Sequence, residues 1–151
     1  MIAEEVMISD VYKVNQKDTI RSVINYFIDY RISGLPVIND EEKIVGYISD
    51  GDIMRYIGKH KDIFVDSLYN VTVFKGDKEN FEARIQHVLD LNVMKLAKKK
   101  IVKVDVTAHI ENVAAILGKK QIKKLPVEKD EKLVGIISRG DVIRHAFQRF
   151  L

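Results

Sequence analysis

One stretch of this chain occurs twice. Residues 32–56 read ISGLPVINDEEKIVGYISDGDIMRY, and residues 122–145 read IKKLPVEKDEKLVGIISRGDVIRH. Leu35-Pro36-Val37 returns ninety positions later as Leu125-Pro126-Val127. Gly46, Ser49, Gly51 and Asp52 return after eighty-nine, as Gly135, Ser138, Gly140 and Asp141, so one residue is missing from the intervening turn. A repeat this clear fixes the architecture before any local reading does: the chain is two copies of one unit. Each copy has roughly 50 residues, too few for a comfortable core of its own. The copies are therefore expected to pack sheet against sheet and to leave equivalent clefts about a pseudo-twofold axis.

Within copy one, Val11-Tyr12-Lys13-Val14 alternates and reads as a short strand. Asp18-Thr19 supplies the N-cap of a helix whose Ile20, Val23, Ile24, Phe27 and Ile28 form one buried face. Leu35-Pro36-Val37-Ile38 opens a strand, with Pro36 at a start or edge because it has no N–H to give a ladder. Asn39 to Glu42 form a turn, and Lys43 to Ile48 a second strand. Ser49 then caps a helix with Asp50 and Asp52 in its first turn, where the helix dipole favours acids. The unit is strand, helix, strand, strand, helix. Copy two repeats it through a strand at Ile101 to Val104, a helix carrying Ile110, Val113, Ala114 and Leu117, a hairpin from Leu125 to Ile137, and a helix capped by Ser138.

The fold class is α/β, two pseudo-symmetric βαββα units, with boundaries at 1–58, 59–92 and 93–151. Residues 1–10 form a helical or extended lead-in. The middle segment has no counterpart elsewhere. Residues 61–69 read as a short helix with Ile63, Phe64 and Leu68 inward. Lys78 to Leu91 read as a second helix, with Phe81, Ile85, Val88 and Leu89 on one face. This insert either packs over an end of the core or serves as a partner-binding or lid element.

The composition narrows the chemistry. With 46% hydrophobic and 31% charged residues the chain is a folded, soluble type. No run approaches the ~18 apolar residues of a membrane span, and Glu4 and Glu5 stand where a secretory leader would carry bases. A cytoplasmic protein without membrane insertion is expected. The absence of cysteine removes disulfides and thiolate chemistry. His60, His87, His109 and His145 are isolated from one another, and no nucleophile with a base, phosphate-cradling glycine loop or metal-ligand cluster is present, so neither catalysis nor a metal is expected. A net charge of +3 is too small to imply nucleic acid. The lysines cluster, however, at 98–100, 119–120 and 123–124. Such runs are either a solvated face or a local site for an anion. A nucleic-acid reading rests on these clusters alone, without a helix-turn-helix or an aromatic platform.

In each copy Ser-x-x-Asp falls at the end of a buried strand. Backbone N–H groups, a hydroxyl and a carboxylate would converge there. A carboxylate can accept two hydrogen bonds side by side, as the adjacent hydroxyls of a ribose would offer, and a helix N-terminus favours phosphate. Serine with an acid three residues on is also a generic helix start, and duplication copies scaffolding as readily as sites.

Leu-Pro-Val, a polar turn, then apolar-Gly-apolar-apolar-Ser-x-x-Asp, seen twice, resembles the CBS domain (cystathionine β-synthase domain) in the tandem pair called a Bateman module. The resemblance spans nearly the whole chain except about residues 58–92. It implies intertwined βαββα units, often assembled into homodimers, that bind AMP, ADP, ATP or S-adenosylmethionine as a regulatory ligand, with no required cofactor, and signal to an effector protein. Carried over residue by residue, Asp52 and Asp141 match the ribose-binding aspartate, and Ser49 and Ser138 the hydroxyl residue before it. Ile32 and Ser33, with Ile122 and Lys123, match positions lining the adenine or phosphate pocket; Tyr12 and Val102 match positions near the base. Lys123 and Lys124 fall where the family often places phosphate-reaching bases, and Arg139 is a further candidate. Asp50 in copy one would repel a phosphate that the three bases of copy two attract, although a base of one copy can serve the neighbouring cleft. On that balance the ligand is expected beside Asp141.

Overall fold

The computed structural model describes residues 1–60, 63–74, 76, 79–119 and 122–151, and of Ile63 and Phe74 the backbone alone. Copy one comprises α1 (Ala3–Val6), β1 (Val14–Asn15), α2 (Ile20–Tyr30), β2 (Gly34–Ile38), β3 (Ile44–Ser49) and α3 (Asp50–Ile57). Then come β4 (Ile63–Ser67), β5 (Asn70–Phe74) and α4 (Phe81–Leu89). Copy two contains a 3-10 turn (Val93–Lys95), β6 (Val104–Asp105), α5 (Ile110–Lys119), β7 (Lys124–Lys129), β8 (Lys132–Ser138) and α6 (Arg139–Phe147), closed by a second 3-10 turn (Gln148–Phe150). Each copy folds into a three-stranded sheet, β1-β2-β3 and β6-β7-β8, with the first strand parallel to the second and the hairpin antiparallel.

Proline sits at the same place in both hairpins for a reason visible in the pairing. Pro36 lies opposite Tyr47. Tyr47 turns its own N–H and carbonyl away from Pro36 to Lys98, at 2.9 Å each. Pro36 is thus at a position where β3 asks for no donor, and β1 begins pairing only at Val37. The missing residue of copy two also has its explanation. Lys129 and Lys132 pair directly across Asp130 and Glu131, both at positive φ (50° and 65°). This is the two-residue turn whose twist suits a hairpin. In copy one the loop is longer, and only Glu42 (φ 64°) is left-handed.

The lead-ins change places. Ala3 N–H donates to the Ala108 carbonyl (2.8 Å) and Ile110 N–H to that of Met1 (3.1 Å). Ninety residues on, Val93 N–H donates to the Asp18 carbonyl and Ile20 N–H to that of Leu91, both at 2.9 Å. Further along, Ile8 exchanges backbone hydrogen bonds with Ile136, and Lys98 with Tyr47. The segment preceding each unit therefore completes the other one. Ala3 and Val6 lie in the core of copy two with Val113, Leu125, Val127 and Ile137. Val88 and Val93 lie in the core of copy one with Ile20, Val23, Leu35 and Ile48. The two sheets meet at a small cluster of Ile38, Ile44 and Leu133. Exchange of lead-ins, more than sheet-on-sheet packing, joins the copies.

Gly135 serves this exchange. A Cβ there would lie 2.3 Å from Met7 Sδ and 2.8 Å from Met7 Cγ, and at the matching Gly46 it would lie 3.3 Å from the Lys98 carbonyl. The repeated glycine is a seat for the crossing segment.

Several expectations need correction. The first strands start later than read: Tyr12 and Val102 precede β1 and β6 instead of lying in them. Ile28 is 69% exposed, since it falls beyond the arc of α2 that Ile20 and Val23 bury. Residues 63–67 form a strand, not a helix, paired antiparallel with residues 70–74. Phe64 (68% exposed) and Leu68 (95%) point outward; the side chain of Ile63 lies outside the described residues. The helix expected from Lys78 begins at Phe81, with Asn80 Oδ1 accepting from Ala83 N–H at 2.8 Å; Lys78 is outside the described residues. Within α4 only Val88 is fully buried, and Phe81 is exposed.

Candidate functional site

Both Ser-x-x-Asp motifs form the same local structure. Ser49 donates its N–H (2.9 Å) and hydroxyl (3.1 Å) to Asp52 Oδ2. Ser138 donates the same two groups to Asp141 Oδ2, at 2.8 and 2.7 Å. The remaining oxygen of each aspartate takes a guanidinium one turn on, Arg55 or Arg144. Asp52 and Asp141 are 7% and 4% exposed, the buried acids of the core. They are affordable there because the first turn of a helix offers positive potential and the donors are satisfied locally.

Burial pulls the Asp141 carboxyl up, but the Ser138 amide and hydroxyl and the Arg144 guanidinium outweigh it, and the net direction is down from 3.8. A carboxyl whose native value is depressed stabilises the fold fully above its unfolded value and loses that contribution as pH falls through the native one. Below about pH 4 the protein should therefore weaken. In urea melts at pH 7 and pH 3, the Asp141→Asn variant should show a smaller acid loss than the parent; an equal loss would assign the effect to other acids.

A cavity of about 230 Å³ opens beside the first of these motifs. Its copy-one wall holds Ser33, Gly34, Tyr47, Ser49 and Asp50. Its copy-two wall holds an apolar strip of Ile101, Val102, Ile122 and Pro126, and four lysines, Lys98, Lys100, Lys123 and Lys124. Tyr47 stands close over Gly34, where a Cβ would lie 2.4 Å from the phenol oxygen. Burial, then the Asp50 carboxylate, push the Tyr47 phenol up to about 12, so it is a neutral donor at physiological pH.

Six sequence-predicted residues meet in this cavity: Ser33, Ser49, Val102, Ile122, Lys123 and Lys124. The others are placed differently. Asp52 sits behind Ser49 instead of lining the space. Ile32 packs against the core of copy one. Tyr12 belongs to a cluster of three tyrosines, its ring stacked on Tyr30 at 4.2 Å and tilted to Tyr26 at 6.0 Å. Ser138, Asp141 and Arg139 lie at the start of α6. Arg139 Nε donates to the Leu117 carbonyl at 3.1 Å, so its guanidinium is anchored to the end of α5. The bases of copy two thus line the cleft of copy one, and the charge argument that favoured Asp141 points to the Ser49 side.

Tyr47, Lys98 and Lys100 were missed as site residues. Lys98 and Lys100 belong to a lysine run visible in the sequence, and their i, i+2 spacing puts both on one side of an extended segment. Only the crossing of the lead-in brings that side to Ser49.

The duplicated fold and the cavity between its copies define a tandem ligand-binding module. The CBS domain family matches residues 3–59 and 93–147, and the chain belongs to that family. It is 31% identical over 151 residues to the uncharacterised protein MJ1426 of Methanocaldococcus jannaschii, covering 95% of this chain and 89% of that protein. It is 29% identical to inosine-5'-monophosphate dehydrogenase of the same organism over 94% of this chain, but that match spans only 23% of the enzyme. Among solved structures, CBSX2 in complex with AMP superposes with a TM-score of 0.74 at 22% identity, over 99% of this chain and 98% of that one. No helix among the described residues is long and apolar enough to cross a membrane.

Proposed function

We propose that the protein is a regulatory module that binds an adenosine-containing ligand (AMP, ADP, ATP or S-adenosylmethionine) in the Ser49 cleft and passes a change of shape or assembly to an effector protein. One observation carries this: a single cavity joins an apolar strip, a hydroxyl at a helix N-terminus, and a set of ammonium groups, with the two copies supplying opposite walls. The AMP complex of CBSX2, a protein of the same fold, supports the choice of ligand. A ligand held between two walls can favour one arrangement of the copies over another, and differential binding of that kind is what regulation requires. The hairpin β4–β5, which exposes Phe64, Val65, Leu68, Tyr69 and Val71, supports an interaction with another protein or a second copy. In this reading the module binds its ligand without transforming it.

A thermal-shift series with the four ligands tests the proposal. A ligand at a hundred times its dissociation constant adds about 2.7 kcal/mol. Asp52→Ala should abolish the shift by releasing Ser49 and the start of α3, whereas Asp141→Ala should lower the baseline stability and keep the shift. No shift with any of the four would contradict the proposal.

A further inference from the structure

Lys98 and Lys100 line the cavity from the segment leading into copy two. Lys98 is fixed beside the cleft by its two backbone hydrogen bonds to Tyr47, both 2.9 Å, and Lys100 follows on the same side of the lead-in. Lys123 and Lys124 stand on the wall formed by the start of β7. Lys17, Lys43 and Lys103 are ion-paired with Asp40, with Glu41 and Glu131, and with Glu128. The four cavity lysines have no acid partner among the described residues. Asp50 is the one carboxylate among the described residues of the lining, and it accepts the Gly51 N–H at 2.8 Å. Four ammonium groups against one carboxylate leave a strongly positive cavity. By the ninety-residue correspondence, Ile8 and Asp10 stand on the Ser138 side where Lys98 and Lys100 stand on the Ser49 side, so the lead-in there lacks these two bases.

We propose that the Ser49 cleft selects a nucleoside polyphosphate, with Lys98 and Lys100 holding the outer phosphates while the apolar strip takes the base. This rests on the adenosine reading given above and narrows it. A monophosphate, at about −1.5 to −2, leaves about a third to a half of the net positive charge unanswered, and a sulfonium nucleoside such as S-adenosylmethionine adds to it. Each further phosphate brings negative charge and acceptor oxygens to ammonium groups that are otherwise only hydrated.

The test is calorimetric titration of the full chain, in magnesium-free buffer, with ATP, ADP, AMP, adenosine and inorganic tripolyphosphate. The variants are Lys98→Gln/Lys100→Gln and, as a control with the same charge change away from the cavity, Lys132→Gln. ATP should bind at least about tenfold more tightly than AMP, with an affinity that falls as salt rises. The double variant should lose that advantage, its ATP affinity falling further than its AMP affinity, and Lys132→Gln should keep both. Equal binding of AMP and ATP, unaffected by the double variant, would overturn the polyphosphate assignment and leave the adenosine reading standing. Tripolyphosphate binding as tightly as ATP would overturn the role of the base. No binding of any nucleotide would overturn both.

Discussion

The Leu125→Ala variant is expected to lose about 2–5 kcal/mol of stability and still to unfold in one step. Leu125 is fully buried on β7, packed in a cluster to which the opposite lead-in contributes Ala3 and Val6. Truncating it removes buried apolar surface and leaves a cavity in a layer with little room to collapse, which places the loss in that range. The single step follows from the exchange. Copy one owes Val88 and Val93 to the segment leading into copy two, and copy two owes Ala3 and Val6 to the segment leading into copy one. Neither core is complete without the lead-in of the other. Denaturation by urea, followed both by far-ultraviolet circular dichroism and by tyrosine fluorescence, should give coincident transitions. Two separated transitions would show that the copies fold independently.

Gly135→Ala comes next in size, at about 1–3 kcal/mol destabilising, the range for overfilling a packed site. The added methyl would meet Met7 along its chain, at Cβ (3.0 Å), Cγ and Sδ, so turning the tip of the side chain does not relieve the clash. The companion variant Met7→Ala should restore a good part of the loss when combined with Gly135→Ala, although alone it is also destabilising. Chemical denaturation of both single variants and the double variant gives the coupling directly. An additive result would mean that Met7 does not fill the space above Gly135.

The repeat made the fold legible because two copies of a pattern leave little freedom: the hairpins, the Ser-x-x-Asp caps and the α2 and α5 helices all lie where the spacing predicts them. The hairpin β4–β5 was misread for a physical reason. Phe64 and Leu68 look like one turn of a helix over so short a window, and a helix needs a longer run before its spacing means anything. Val65, Val71, Thr72 and Val73 carried the stronger β signal. The described side chains of the hairpin, residues 64–73, are all exposed, so they carry no burial pattern to find.

The site was legible in part. Ser49, Ser33, Ile122 and Lys123 follow from the repeated motif and the resemblance it supports. The pairing of copy-two bases with the copy-one cap does not, because it depends on lead-ins that cross between units, and spacing within one unit carries no sign of a crossing. Tyr47 escaped for another reason. Its counterpart is Ile136, so the repeat marks the position as core, and only the approach of its ring to Gly34 shows it facing the cavity.

The central claim is that a nucleotide binds in the Ser49 cleft between the two copies. Backbone amide resonances of the ¹⁵N-labelled chain, followed during titration with ATP, test it most directly. Saturable shifts are expected, centred on Ser33, Gly34, Ser49, Lys98, Val102 and Lys123, residues of both copies that line this one cavity. Shifts confined to residues 63–74, centred on Ser138 and Asp141, or spread over surface lysines without saturation would contradict it.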